Sequence, residues 1–560
     1  MDRIIRTCSL GLIAAVALAG SADAKRATVS PAPSLLAAYA RARLAGADGA
    51  LEQSSRSYAA VLAARPDDAS VAARAYRQAL IGGDFPLALK AGATLDKAGA
   101  LPADGRLLFL ARALKSKDWT LANSSVELLA KDGSFDFLVP VLRAWVAQAS
   151  RQGDPFAILD APTGSALTSA LGAEQRALLL IAAGKLDEAA TVAQAQALAA
   201  GGGSIALKLS VAARLHAAGR KDQALALLRG DEPTLVAARD LLQAGKPLRA
   251  GSADAAGGIA AVLVRVAEAI QSDPRSPVGV SLARLAVWLD PGNDGATVML
   301  SRLLANVGQA DQALLLAGKV PAASPWSGAA VDTRAAILTE QGKRDEALAL
   351  ARAKSEGPNA TVADLVRTGD LLVALERHGE AAPVYTRAIA AAERAPDMND
   401  RVWSLWLLKG GAHERAQQWD QAKPALAKAV ELSPLQPVAL NYLGYAQLER
   451  RENVKEALGL IQRASDLKPD DPAITDSLGW AHFLVGDVGK AIPVLEKAVQ
   501  GQPGDPTINE HLGDAYWAAG RKYEARYAWR AAALFADSAD VEARAKAKAE
   551  QGFSPALAAR

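Results

Sequence analysis

The chain has 560 residues, a net charge of +3, 51% hydrophobic but only 5% aromatic content, and one cysteine. That length exceeds one ordinary hydrophobic core. The near-neutral charge excludes the strong basic bias of a nucleic-acid surface and gives no support to membrane-surface binding. Abundant alanine, with no clustered alternating runs of strand formers, predicts helices packed closely through small side chains and almost no sheet.

Residues 1–24 have the form of a secretory signal peptide: Arg3 and Arg6 at the start, an apolar stretch from Leu10 to Gly20, and Ala22-Asp23-Ala24 as a small-x-small cleavage site before Lys25. The apolar stretch is too short to span a bilayer comfortably, and no later run reaches that length. Cys8 precedes the apolar stretch, so it is misplaced for lipidation at the cleavage site. The chain after Ala24 then has no disulfide, no thiol chemistry and no integral membrane segment. The expected location is a bacterial periplasm.

Residues 25–33 are a polar, Pro-containing lead-in. From Ser34 a helical pattern begins, with Leu35, Leu36, Tyr39 and Leu44 on one face; Tyr58, Ala63 and Pro66 continue it. A fingerprint of Gly followed five residues later by Ala recurs at Gly83/Ala88, Gly184/Ala189, Gly219/Ala224, Gly308/Ala313, Gly342/Ala347, Gly486/Ala491 and Gly520/Ala525. Gly184 to Gly219 is 35 residues and Gly308 to Gly342 is 34. The Gly suits a left-handed helix exit between paired helices. Residues 25–245 are therefore predicted to be divergent helical repeats, with 103–161 the most divergent. The Gly, Ala and Ser-rich stretch 246–258 is predicted to be a linker, and 259–400 further repeats with an irregularity at Ala395–Asp400.

The clearest pattern lies at 401–535. Leu443-Gly444, Leu478-Gly479 and Leu512-Gly513 are 35 and 34 residues apart, and Ala457, Ala491 and Ala525 follow on a second helix, then Ala464, Ala498 and Ala532. Pro469 and Pro503 close two units, and Trp406, Gly410, Ala422, Ala429 and Pro434 supply an earlier copy. The pattern resembles the tetratricopeptide repeat, a unit of two antiparallel helices. The resemblance implies an all-α, right-handed superhelical solenoid with a concave inner wall. One helix pair cannot bury its apolar face alone, so neighbours stack. The Ala, Lys, Arg and Glu-rich residues 536–560 suit a C-terminal capping helix and tail.

By the same resemblance, first helices line the concave wall. They would present Asn441, Tyr445, Leu448 and Glu449; then Asp476, Trp480, Phe483 and Leu484; then Glu510, Asp514 and Trp517. Spacings of three and four residues put each set on one helix face. The expected partner-binding groove is thus Asn441, Tyr445, Asp476, Trp480, Phe483, Glu510, Asp514 and Trp517, an aromatic track with an acidic end. The other reading of Trp480 is inter-helix core, which is also the expectation for Trp529. A basic clamp for a terminal carboxylate is matched at Asn441 only.

Chemistry-bearing motifs are few. The histidines His216, His378, His413, His482 and His511 are never within four residues of one another. Gly201-Gly202-Gly203-Ser204 lacks the rest of a phosphate loop, and Ser465-x-x-Lys468 lacks the companions of a nucleophile motif. The expectation is therefore a non-catalytic protein–protein scaffold or adaptor, with no cofactor and no metal. Its segments resemble those of large exported bacterial repeat proteins, which implies protein partners such as an envelope protease or assembly protein. An alternative is a component of envelope polysaccharide export that binds glycan, and a more remote one an envelope enzyme.

Overall fold

The structure is a computed structural model that describes residues 34–161, 166–198, 204–230, 232–270, 277–357, 360–394 and 401–554. The signal-peptide stretch 1–24, the lead-in, Gly201-Gly202-Gly203, Ala395–Asp400 and the tail from 555 lie outside them. The described residues form helices and no strand. The described residues form an all-α solenoid of helix pairs.

The N-terminal helices are α1 Leu35–Ala47, α2 Leu51–Ala64, α3 Ala69–Gly82, α4 Phe85–Lys97, α5 Gly105–Ser116, α6 Trp119–Asp132 and α7 Val139–Ser150. Aspartates start several of them: Asp68, Asp84 and Asp118 accept backbone N–H groups of the first turn, satisfying donors that have no partner inside the helix. Helix α1 buries Ala38, Ala42 and Ala45, while Leu36 and Leu44 are exposed. The leucine face expected from the sequence is thus not the packed one. Close backbone approach decides this: Ser54 Oγ of α2 donates to Ala42 O at 2.7 Å, a contact that small residues permit.

Next come α8 Pro155–Asp160, α9 Ala166–Ala182, α10 Leu186–Leu198, α11 Ile205–Ala217, α12 Lys221–Leu227 and α13 Pro233–Gln243, with a core of their own. Then α14 Ala255–Ala269, α15 Pro277–Leu289, α16 Asp294–Asn306 and α17 Ala310–Ala317 return to the N-terminal helices. One hydrophobic core includes Tyr76, Trp145, Leu263, Leu285 and Leu300. Phe85 stacks on Trp288 at 4.1 Å. Arg284, buried and without a carboxylate partner among the described residues, donates from Nε to Ile81 O at 2.9 Å at the end of α3. Burial lowers its pKa to about 10.

These contacts correct the linker reading of 246–258. Residues 255–258 are the first turn of α14, and the backbone of Gly258 lies against the indole of Trp145 so closely that a Cβ there would sit 2.0 Å from Trp145 Cζ2. Small residues here serve close packing, so the two sides of the stretch share one core and it separates nothing.

From there the helices pair in sequence: α18 Ser327–Glu340, α19 Arg344–Ser355, α20 Val362–Ala374, α21 His378–Ala392, α22 Val402–Arg415, α23 Trp419–Leu432, α24 Pro437–Glu449, α25 Val454–Leu467, α26 Pro472–Leu484, α27 Val488–Gly501, α28 Pro506–Ala518 and α29 Lys522–Leu534, closed by α30 Ala539–Gln551. Each pair turns through a left-handed residue. The φ angles are +78° at Gly308, +75° at Gly342, +86° at Gly486 and +79° at Gly520. The Ala five residues on is fully buried in all four cases. Glu376, Gln417 and Arg451 take the same positive φ at turns that lack the glycine. Within pairs, first-helix glycines admit a second-helix side chain. A Cβ would lie 2.4 Å from Tyr385 at Gly369, 2.6 Å from Leu426 at Gly410, 2.6 Å from Leu495 at Gly479 and 2.5 Å from Trp529 at Gly513.

Candidate interaction site on the C-terminal helix pairs

The first helices α24, α26 and α28, together with α30, run in register. Asn441, Asp476, Glu510 and Arg544 occupy one column, at steps of 35, 34 and 34 residues. Tyr445, Trp480, Asp514 and Lys548 occupy the next, one helical turn along, at the same steps. Because the pairs repeat, side chains of one pair face those of the next, and at the last step the column counterparts meet directly, Arg544 with Glu510 and Lys548 with Asp514.

The facing side chains form a ladder of buried and part-buried contacts. Trp480 Nε1 donates to Glu449 Oε1 at 2.9 Å. The Trp480 ring stacks on Phe483 at 4.8 Å and on His511 at 4.0 Å. His511 Nδ1 lies 2.9 Å from Asp476 Oδ2. Arg544 donates to both oxygens of Glu510 at 2.8 Å, a bidentate fork. Lys548 Nζ sits 2.7 Å from both Glu510 and Asp514, and Trp529 Nε1 donates to Asp514 Oδ1 at 2.8 Å. Burial works to raise the pKa of Glu510, but Arg544 and Lys548 outweigh it and hold the carboxyl below its ordinary value. At Asp514 burial dominates over Lys548 and the pKa is raised.

Of the predicted groove residues, Asp476, Trp480, Glu510 and Asp514 are buried, and the open acidic aromatic track is not formed by them. The reason is the next pair. His511 covers Trp480 and holds Asp476, and α30 covers Glu510 and Asp514 with its two cations. The acidic end is internally neutralised. Trp517 is half-buried: it packs on Trp529 at 5.4 Å, and the chain leaving α30 crosses it at Gly552, where a Cβ would be 2.4 Å from its ring. Asn441, Tyr445 and Phe483 remain partly exposed. Asn441 Oδ1 has no hydrogen-bond partner among the described residues. Burial raises the Tyr445 pKa well above the ordinary phenol range, with the carboxylates of Glu449 and Asp476 adding to it. Trp529 is fully buried. Ser465 lies in the last turn of α25 and Lys468 pairs with Asp471 at 2.8 Å.

Sequence reasoning missed Arg544 and Lys548 as the partners of this wall. The signal is their offset of 34 residues from Glu510 and Asp514, which composition does not carry.

The sequence pattern of the tetratricopeptide repeat family matches residues 407–472 and 477–541. That C-terminal stretch carries tetratricopeptide repeats. A TPR repeat-containing protein of Pseudomonas aeruginosa is 28% identical over 156 residues, which are 28% of this chain; the match spans a quarter (25%) of that relative's length. Among solved structures, a tetratricopeptide repeat protein from Parabacteroides merdae is 16% identical with a TM-score of 0.37, covering 45% of this chain and 96% of its own. The Cut9–Hcn1 hetero-tetramer of the APC/C is 16% identical with a TM-score of 0.34 over 84% of this chain and 95% of the other. Tetratricopeptide repeats are in general scaffolds for protein–protein interaction, and the matched span is the one that contains α23 to α29.

Proposed function

We propose that the chain is a non-catalytic interaction scaffold or adaptor that holds a segment of a partner protein against the first-helix face of its C-terminal repeats. The observation that carries this is the row of partly exposed Asn441, Tyr445 and Phe483 on consecutive first helices. Aromatic rings supply contact area at low entropic cost. The aromatic and acidic groups behind this row hold it rigid. Export to a bacterial periplasm, with cleavage after Ala24 and no lipid, belongs to the same proposal and is supported by Arg3, Arg6 and Ala22-Asp23-Ala24; intact mass after secretion checks it. An envelope protease or assembly protein fits the partner role.

The test is a photo-crosslinking residue placed at Tyr445 and, as a control, at Tyr527 on the outer face of α29. Protein adducts at the first position and not the second support the reading. Equal adducts at both positions, or none at Tyr445, overturn it. Retention of an envelope glycan in place of protein would favour the polysaccharide-export alternative.

A further inference from the structure

Far along the chain from the repeat wall, a cavity of 360 Å³ lies between α9, α11 and α13 on one side and α14, α16 and α18 on the other. One face of α14 runs along it through Gly257, Ala261, Val264, Arg265 and Glu268, and one face of α16 through Gly295, Ala296, Met299 and Arg302. The volume is that of a small-molecule site. Its apolar lining includes Leu178, Leu209, Val264, Val298 and Met299, with Trp326 laid across Gly295, where a Cβ would be 2.9 Å from the indole.

Four carboxylates and three guanidinium groups line the cavity, and three of the carboxylates are paired with Arg249 and Arg265. Arg249 Nε meets Asp294 Oδ2 at 3.0 Å. Arg265 meets Glu174 at 3.2 Å and Glu268 at 2.6 Å. Glu232 accepts the Thr234 N–H at 2.8 Å in the first turn of α13. Arg302 is different: it is exposed, it donates to Thr333 Oγ1 at 3.3 Å, and no carboxylate partners it among the described residues. A guanidinium keeps its charge and offers a planar fork of donors, so Arg302, at the solvent-facing edge of the cavity, can exchange water for one anionic group.

We infer that this cavity binds a small amphiphile with a single carboxylate head, the head on Arg302 and the apolar body along α14 and α16 toward Trp326. A bare dianion would find one free cation and an apolar floor. A cationic amphiphile would face Arg302. A neutral one would leave the guanidinium without its partner.

Titration calorimetry on the full chain tests this with decanoate, decanol and decylamine. Decanoate is expected to bind at one site, decanol more weakly and decylamine not at all. Arg302→Met should weaken decanoate by about two- to fivefold, the worth of one exposed charge pair, and leave decanol unchanged. Ala261→Leu, on the partly exposed face of α14, should abolish binding of both by filling the cavity. If circular dichroism shows that variant unfolded, Ser210→Ile on α11 fills the opposite wall. Absent binding, decanoate affinity indifferent to Arg302→Met, binding unmoved by the filling variants, or preference for decylamine would each overturn the assignment.

Discussion

The imidazole of His511 lies flat on the indole of Trp480, with ring centres 4.0 Å apart and planes 12° from parallel, while its Nδ1 faces both oxygens of Asp476. Burial acts to lower the His511 pKa, but the adjoining Asp476, with Asp514 and Glu449 farther away, outweighs it and raises the pKa above its ordinary 6.5. A group whose pKa is raised on folding stabilises fully below its unfolded value and loses that contribution as pH rises through its folded value. The C-terminal repeats should therefore lose stability as pH climbs from 6.5 upward through the folded pKa. Thermal unfolding of wild type and His511→Gln, compared between about pH 6 and about pH 9, checks this. The same slope in both proteins would remove His511 as the cause.

Trp480 is a structural residue in this arrangement. Trp480→Ala should destabilise the α24–α28 region by about 3–5 kcal/mol, as for other buried aromatics. Trp480→Phe keeps the stack, loses the bond to Glu449 and should cost about 1–3 kcal/mol. Hydrogen exchange over residues 437–518 reads both, and unchanged protection in the alanine variant would contradict the burial.

Lys548 is fully buried between Glu510 and Asp514. Lys548→Met leaves two carboxylates with one cation, and removing one partner of a buried pair costs about 3–5 kcal/mol. The loss should appear as release of α30 and exposure of Trp517, measured by limited proteolysis near residue 539 and by tryptophan fluorescence. An intact terminus would mean that Arg544 alone suffices.

Gly258→Ala tests whether 246–258 joins or separates. With a Cβ forced against Trp145, overpacking should cost about 1–3 kcal/mol. Gly172→Ala, where the nearest side-chain atom is 4.0 Å away, should be neutral or stabilising because alanine favours helix. Denaturant midpoints of the two variants distinguish a packed backbone from a linker.

Gln417 sits exposed at φ +60° in the turn where other pairs carry glycine. Gln417→Gly relieves a left-handed strain of about 1–2 kcal/mol, partly offset by the added freedom of the unfolded chain. The expected gain is about 0.5–1 kcal/mol by urea denaturation. A loss would show that the Gln417 side chain contributes more than its backbone costs.

Helix pairing was legible in the sequence by itself, because the 34-residue step, the turn glycines and the buried alanines are local requirements of two helices in close contact. The positions Gly410, Gly479 and Gly513 follow from the same sterics. Tertiary structure alone decided which first-helix residues face a partner. Register puts Asp476, Trp480, Glu510 and Asp514 on the wall, but whether a wall residue is open depends on what the next pair carries at the same place. His511, Arg544 and Lys548 close those positions through contacts 31 or more residues away in sequence. The return of α14 and α15 onto α3, α5 and α7 was likewise outside the reach of periodicity. A glycine packed against a distant tryptophan and a glycine in a linker carry the same local signal, and only the long-range contact separates them.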